Sequence, residues 1–237
     1  GWNGTVHAPA VPGFQTEAVL YEAKSDTQAF IGYLPSADAI VVSYRGTVES
    51  SLKNWIQDLE AWRTKTNFPG CGGNCQVHDG FFKDYEGLQS AIHPEFEAAV
   101  ARHPGSNVWI TGHSLGAAMA CLLAADLASV GHEIGSVYTF GQPRVGDDAF
   151  YDYFKAGVAD EYYRVVHYHD IVPHLPPELL SFHHVPTEVW YSSESGSEHK
   201  VCNGSGEDSS CSDSVLAPIS VNDHLKYLGV PVGSATC

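Results

Sequence analysis

The sequence predicts an α/β fold: a central, mostly parallel sheet covered by helices on both faces. Three observations carry that expectation. After residue 80, strand-like runs alternate with helix-like runs, the pattern of parallel strands joined by crossover helices. Before residue 46, three strand-like runs follow one another so closely that they suggest antiparallel pairing. At the centre, Gly112-His113-Ser114-Leu115-Gly116 joins a short buried strand to a helix rich in Ala and Leu, and strand, tight turn, helix is the context that gives a G-x-S-x-G its meaning.

Taken in order, Glu17–Glu22, Ala29–Leu34 and Ala39–Tyr44 are the three early strands, separated by Ser/Asp/Gln and Pro-Ser-Ala-Asp turns. Residues 48–59 form an amphipathic helix, with Val48, Leu52, Trp55, Ile56 and Leu59 on one stripe and polar residues elsewhere. By itself such a stripe fits a surface helix packed on the core. Asn67–Asn74 is loop. Phe82, Tyr85, Leu88 and Ile92 keep helical spacing, which Pro94 should interrupt before it resumes at Phe96. Val108–Thr111 is a buried strand, followed by the G-x-S-x-G turn and the Ala/Leu helix. Beyond it come a strand at Gly135–Phe140, a helix at Asp147–Lys155 and a strand at Glu161–Tyr168. The Pro-rich loop Val172–Pro177, a late strand at His184–Tyr191, a polar loop from Ser192 to Ser214 and a short helix at Asp223–Leu228 complete the chain. There is no internal repeat and no linker, so residues 1–237 read as one domain.

Composition narrows the function. A hydrophobic fraction of 43% in 237 residues suits a chain with a substantial core. The net charge of −16 argues against nucleic acid and against electrostatic docking on anionic membranes. No apolar run is long enough to span a bilayer, and no signal peptide is expected to remain at Gly1. Of six cysteines, Cys71/Cys75 and Cys202/Cys211 each bracket a polar loop and suit two short-range disulfides, hence an oxidising compartment. Cys121 reads as a buried thiol, and the partner of Cys237 is open. Asn3-Gly4-Thr5 and Asn203-Gly204-Ser205 are glycosylation acceptors that agree with secretion. His167-x-His169 is weak ligand spacing, and neither a metal nor another cofactor is expected.

Ser114 is the candidate nucleophile: a sharp elbow exposes its hydroxyl at a helix N-terminus, where developing negative charge is favoured. A serine needs a base, and the base an orienting acid. In a strand–elbow–helix site the acid follows the serine and the histidine follows the acid. Asp170 ends the strand Arg164–Asp170 at the carboxyl edge of the sheet, where α/β sites form. For the base, position along the chain favours His224, with His183 and His184 still open.

Tyr44-Arg-Gly-Thr47, Asn54-Trp-Ile-Gln-Asp58, His78-x-Gly80-Phe81, Thr111–Gly116, Thr139–Gly146, His169-Asp170-x-Val172-Pro173 and Asp223-His224 occur in this order. Over roughly residues 17–230 the chain resembles the fungal-type class 3 lipases, secreted α/β-hydrolases. The resemblance implies Ser114 as nucleophile, Asp170 as orienting acid and His224 as base, with Thr47 and Leu115 forming the oxyanion hole. Beside Thr47, it also makes the helix at 48–59 a lid, closed over an acyl groove or open to present its stripe to oil. The implied partner is an acylglycerol at a lipid–water interface, handled by a monomer outside the cell. Feruloyl esterases of the same family resemble the chain around Val201-Cys202 and Cys237, but their lid stretch is polar, so the Asn54–Asp58 pattern favours a lipase. A non-catalytic binding protein on a hydrolase scaffold is the rival of a different class.

Overall fold

A computed structural model describes residues 11–196 and 198–232; the acceptor at Asn3 and Cys237 lie outside them. The strands, in chain order, begin with β1 (Gln15–Glu22), β2 (Thr27–Leu34) and β3 (Ala39–Tyr44). Helix α1 (Glu49–Gln57) follows, then short strands β4 (Arg63–Lys65) and β5 (Gln76–His78), and helix α2 (Asp79–Arg102). Next come β6 (Asn107–His113), α3 (Leu115–Ser129), β7 (Ser136–Phe140), α4 (Asp148–Lys155) and β8 (Glu161–His167). The last elements are β9 (Glu188–Tyr191), β10 (His199–Val201), α5 (Val221–His224), β11 (Lys226–Tyr227) and β12 (Val230–Pro231). Among the described residues the main sheet runs β1-β2-β3-β6-β7-β8-β9-β10. Its first two pairings are antiparallel, β3 to β9 are parallel, and β10 turns back along β9.

Register explains which face is buried. Ile40, Val108 and Val42, Ile110, Val137 stand side by side on neighbouring strands and are all buried. Helices α2 and α3 pack together against this face and join its residues in a single apolar core. On the opposite face Ser43, Thr111, Tyr138 and Tyr163 align; Tyr138 is 41% exposed and the others are half-buried, so cover there is thinner than on the helix-bearing side.

Several expectations change. Helix α2 runs through Pro94 without a break. Proline in a helix costs about 3 kcal/mol by deleting one hydrogen bond and crowding the preceding turn. Here Ile92, Phe96 and Ala99 are fully buried on either side of it, and each large apolar side chain contributes about 1.5–3 kcal/mol on burial, so the core outweighs the proline. The late strand shrinks to Glu188–Tyr191 because the preceding backbone is committed elsewhere. Buried Arg164 donates to Val185 O at 2.7 Å and Gly206 O at 3.0 Å, and His184 Nε2 bonds Pro173 O. The polar loop contains β10, and Arg144 anchors its far side by a two-pronged bond to Glu207 at 2.7 and 2.9 Å. The last helix is only Val221–His224, capped at its start by the Ser220 hydroxyl, which accepts from Asp223 N. Both expected disulfides form, and Cys121 is a buried free thiol.

Candidate active site

The elbow is built by interlocking backbones. A Cβ on Gly112 would stand 2.2 Å from Gly116 O, and one on Gly116 would stand 2.4 Å from Tyr44 O. Both are far inside contact distance, so only glycine lets β6, α3 and the end of β3 approach this closely. Between them Ser114 adopts φ 59° and ψ −128°, a conformation costing an L-residue about 1–3 kcal/mol and held only by its surroundings. Ser114 N donates to Phe140 O at 3.0 Å, tying the elbow to the end of β7. Its own carbonyl accepts the first hydrogen bond of α3, from Ala117 N at 2.9 Å.

The same close packing places Thr47. A Cβ on Gly46 would lie 2.5 Å from His113 O and 3.2 Å from Ser114 Cβ, so the segment leaving β3 runs directly against the elbow. Thr47 Oγ1 is buried without a hydrogen-bond partner. Leu115, the first residue of α3, has its N–H outside the i→i−4 ladder. Two donors thus flank Ser114 with no partner required of them by the fold.

Asp170 lies just past β8, bridged to Ser220, and both Asp170 and His224 are fully buried. His224 Nδ1 donates to Asp170 Oδ2 at 2.8 Å; Tyr227 Oη donates to that same oxygen, and Val172 N donates to Oδ1 at 2.8 Å. Burial works to raise the Asp170 carboxyl, but the neighbouring His224 and these three donors outweigh it and hold the group below its ordinary range. With Nδ1 bonded to the carboxylate, the Nε2 lone pair of neutral His224 is free. Nε2 is buried and unpartnered, as is Ser114 Oγ. The structure therefore joins His224 to Asp170 and leaves Ser114 Oγ and His224 Nε2 without a bond between them. In resting enzymes that bond is often open.

The competing histidines are engaged away from the elbow. His183 bonds Asp148 and Ser205 O, each at 2.7 Å, and His184 bonds Pro173 O. Among the described residues, Glu188, Cys202 and Cys211 are the one group with metal-ligand spacing, and both sulfurs are spent in a disulfide.

Helix α1 borders a cleft with Thr47 and Leu115; Leu52 is buried, Trp55 stacks on Phe81 at 6.1 Å and Ile56 is half-buried. Leu59 of the expected stripe lies past the helix end at Gln57 and packs half-buried on the core. Val48 departs from the expected stripe. It is the residue before the helix and is 38% exposed, because the chain is still extended there. A cleft of about 340 Å³ opens between α1 and the elbow, lined by Thr47, Val48, Trp55 and Leu115. In this arrangement Ser114 is only 1% exposed.

A family model described as Lipase (class 3) matches residues 41–180, the span from β3 through the Pro-rich loop. The chain belongs to the class 3 lipase family. It is 38% identical over 216 residues to a lipase of Rhizomucor miehei, covering 89% of this chain and 58% of that protein. A secreted mono- and diacylglycerol lipase of Penicillium cyclopium is 34% identical over 185 residues, covering 76% and 58%. The chain thus spans somewhat over half the length of these relatives. The solved Rhizomucor miehei triacylglyceride lipase superposes with a TM-score of 0.88 at 34% identity, covering 96% of this chain and 85% of that one. The fold is that of an α/β-hydrolase.

In this member of the class 3 lipase family, three further residues support the Asp170–His224 pair. A Cβ on Gly141 (φ 57°) would sit 2.8 Å from the His224 ring and 2.9 Å from Asp170 Oδ2, so this glycine makes room for the pair. Tyr227, three residues past the base, is the second donor to the acid. His113 precedes the serine and touches the base. Gly141 stands within the quoted Thr139–Gly146 run, which marked the loop but not this contact. His113 likewise stands within the Thr111–Gly116 run, which marked the elbow but not its contact with His224, and for Tyr227 nothing local gave a signal.

Proposed function

We propose that this chain is the catalytic domain of a secreted lipase that hydrolyses acylglycerol esters at an oil–water interface. The reading is carried by one observation. A serine held at φ 59° on an interlocked elbow shares a buried loop with an imidazole already bonded to a buried carboxylate.

Ser114 Oγ attacks the ester carbonyl carbon while its proton passes to His224 Nε2, and Asp170 stabilises the imidazolium. The carbonyl oxygen becomes an oxyanion held by the N–H groups of Thr47 and Leu115 and by the Thr47 hydroxyl. Collapse breaks the bond to the glyceride oxygen, which leaves with the proton from Nε2. Water then adds to the acyl-serine with His224 again as base, releasing the fatty acid and restoring Ser114.

Because Ser114 is covered, substrate reaches it only when α1 moves. Opening turns Leu52 and Trp55 outward, a cost in water that an oil surface removes. Two disulfides support an oxidising, extracellular setting, and no helix among the described residues is long and apolar enough to cross a membrane. The Rhizomucor and Penicillium relatives, named for tri-, di- and monoacylglycerols, support the substrate class.

A fluorescent alkyl phosphonate should label Ser114 stoichiometrically. Ser114→Ala should lose labelling and about a million-fold in turnover while keeping its circular dichroism spectrum. Turnover retained in that variant would end the assignment. Hydrolysis of an emulsified glyceride should jump as it passes its solubility limit, whereas a preference for methyl ferulate would place the chain with the feruloyl esterases.

A further inference from the structure

The catalytic scheme leaves unused the half-buried imidazole beside the nucleophile. His113 ends β6 and directly precedes Ser114. Its Nε2 lies 2.8 Å from the main-chain oxygen of His224, and its ring lies 4.4 Å from the His224 ring, tilted by 33°. A carbonyl can only accept, so Nε2 carries the proton and donates. Burial, and then the neighbouring His224, push the His113 pKa down to about 3, so the ring is neutral wherever an esterase of this kind would work.

This contact links His224 to the elbow, a link its own short helix does not make. Helix α5 has four residues, and the chain leaves it at Leu225 for the two-residue strand β11. The last four carbonyls of any helix lack intrahelical partners; here Leu225 N meets those of Asn222 and Asp223, and His113 Nε2 meets that of His224. The side chain of His224 is gripped by Asp170, and bonds from His167 Nδ1 to Asp223 O and from Val232 N to Leu225 O hold the main chain on either side. His113 supplies the tie at the His224 carbonyl itself. The elbow is rigid by backbone interlock, and the bond from His113 ties the base to that rigid element.

We propose that His113 is a positioning residue: by donating to the His224 carbonyl it straps the base to the elbow and fixes the separation of His224 Nε2 from Ser114 Oγ. This rests on the reading of Ser114 and His224 as nucleophile and base. One imidazole thereby couples parts of the site 110 residues apart, and does so from the position beside the nucleophile, where its own geometry is least able to drift.

The test uses p-nitrophenyl butyrate below its solubility limit. His113→Phe keeps a flat ring against His224 and removes the donor; His113→Gln restores an N–H able to reach the carbonyl. Displacing a catalytic group by about 1 Å costs on the order of a hundredfold. His113→Phe should lose about ten- to a hundredfold in kcat with KM little changed. Phosphonate should still label every Ser114, but more slowly by a similar factor. His113→Gln should recover most of the loss. Wild-type rates of turnover and labelling in His113→Phe, or no recovery in His113→Gln, would overturn the strap. Should the variants not fold, nitrogen-15 spectra of the wild-type imidazoles decide: His113 must carry its proton on Nε2 and stay neutral at pH 5, and the other tautomer or a charged ring overturns the proposal. Wild-type protein that the phosphonate does not label would instead remove the catalytic reading itself.

Discussion

The elbow and helix α1 are neighbours held by opposite means. At the elbow, backbone meets backbone: Gly112 against Gly116, Gly116 against Tyr44, Gly46 against His113. Every residue of α3 from Leu115 to Leu127 is buried. In α1, Leu52 is the buried residue; Val48 before it supplies no side-chain cap, and Trp55 rests on Phe81 while half-buried. Close-packed backbone has no slack, so the elbow can hold a strained serine in one geometry. A helix fixed by a few side chains can be detached for a few kcal/mol. On the proposed reading of α1 as a lid, the site thus separates the part that must not move from the part that must.

Gly116→Ala attacks the first half and carries the largest expected effect. Its methyl would meet backbone oxygen on another element, which cannot rotate away, so folded, soluble protein should be lost. Ser51→Ala on the exposed side of α1 should leave expression and the thermal midpoint unchanged. Well-folded Gly116→Ala would show the elbow to be softer than the interlock implies. Next in size is Thr47→Val, which keeps shape and drops a buried hydroxyl with no structural partner. Removing one oxyanion donor costs about a hundred- to a thousandfold in rate. The loss should appear in kcat on a soluble ester without loss of stability, and an unaltered kcat would take the hydroxyl out of the hole. Smaller again is Trp55→Ala. An aromatic pair contributes about 0.5–1.5 kcal/mol beyond its buried area, so losing the Trp55–Phe81 stack should raise turnover of a dissolved ester about two- to tenfold. The jump at the solubility limit should shrink in proportion, and an unchanged jump would mean that α1 is not held down by this stack.

The same division decides what could be read in advance. The elbow was legible because its constraint is local: two glycines at fixed spacing, a β-branched run before them and an Ala/Leu run after. The parallel pairing of β6, β7 and β8 followed from alternation of element types after residue 80, whereas the parallel pairing of β3 with β6 did not. Pro94 misled because a local cost was overruled by the long-range burial of Ile92 and Phe96. The strand expected from His184 lost its first half to Arg164, which donates to Val185 O from 21 residues before it, and to Glu207, which accepts from His184 N 23 residues after it. Val48 had the right residue type for the apolar stripe but lies before the helix begins. His113 and Tyr227 are contacts of closure, and no neighbouring residue encodes them.

Asp84 gives the finest test of the contrast, because it senses the movable half from the fixed one. It stands on α2 and lines, with Trp55, both clefts flanking α1. The charges around it are already matched or of its own sign. On α2, Lys83 is paired with Asp79 at 2.5 Å; beyond β1, Asp26 is paired with Arg45 at 2.9 Å; Asp58 and Glu60 follow α1, and His78 of β5 bonds Glu60 O. With no cation free to answer it, burial raises the Asp84 carboxyl from 3.8 to about 6. When α1 swings away, water returns and the group should fall back towards 3.8. A carboxyl whose pKa is higher in the closed form favours that form while it stays protonated. The advantage is complete below about pH 4 and is lost as pH rises through about 6. Ionisation of Asp84 should therefore loosen α1 across that window, and turnover of a dissolved ester should rise several-fold relative to Asp84→Asn, which cannot ionise. Two pH units of full shift would allow about a hundredfold, but partial exposure of the carboxyl screens most of it. Taking the ratio of the two proteins at each pH cancels every other titration. A ratio flat from pH 4 to 6.5 would mean that Asp84 keeps the same surroundings whichever way α1 lies, and that the movable part of the site ends short of α2.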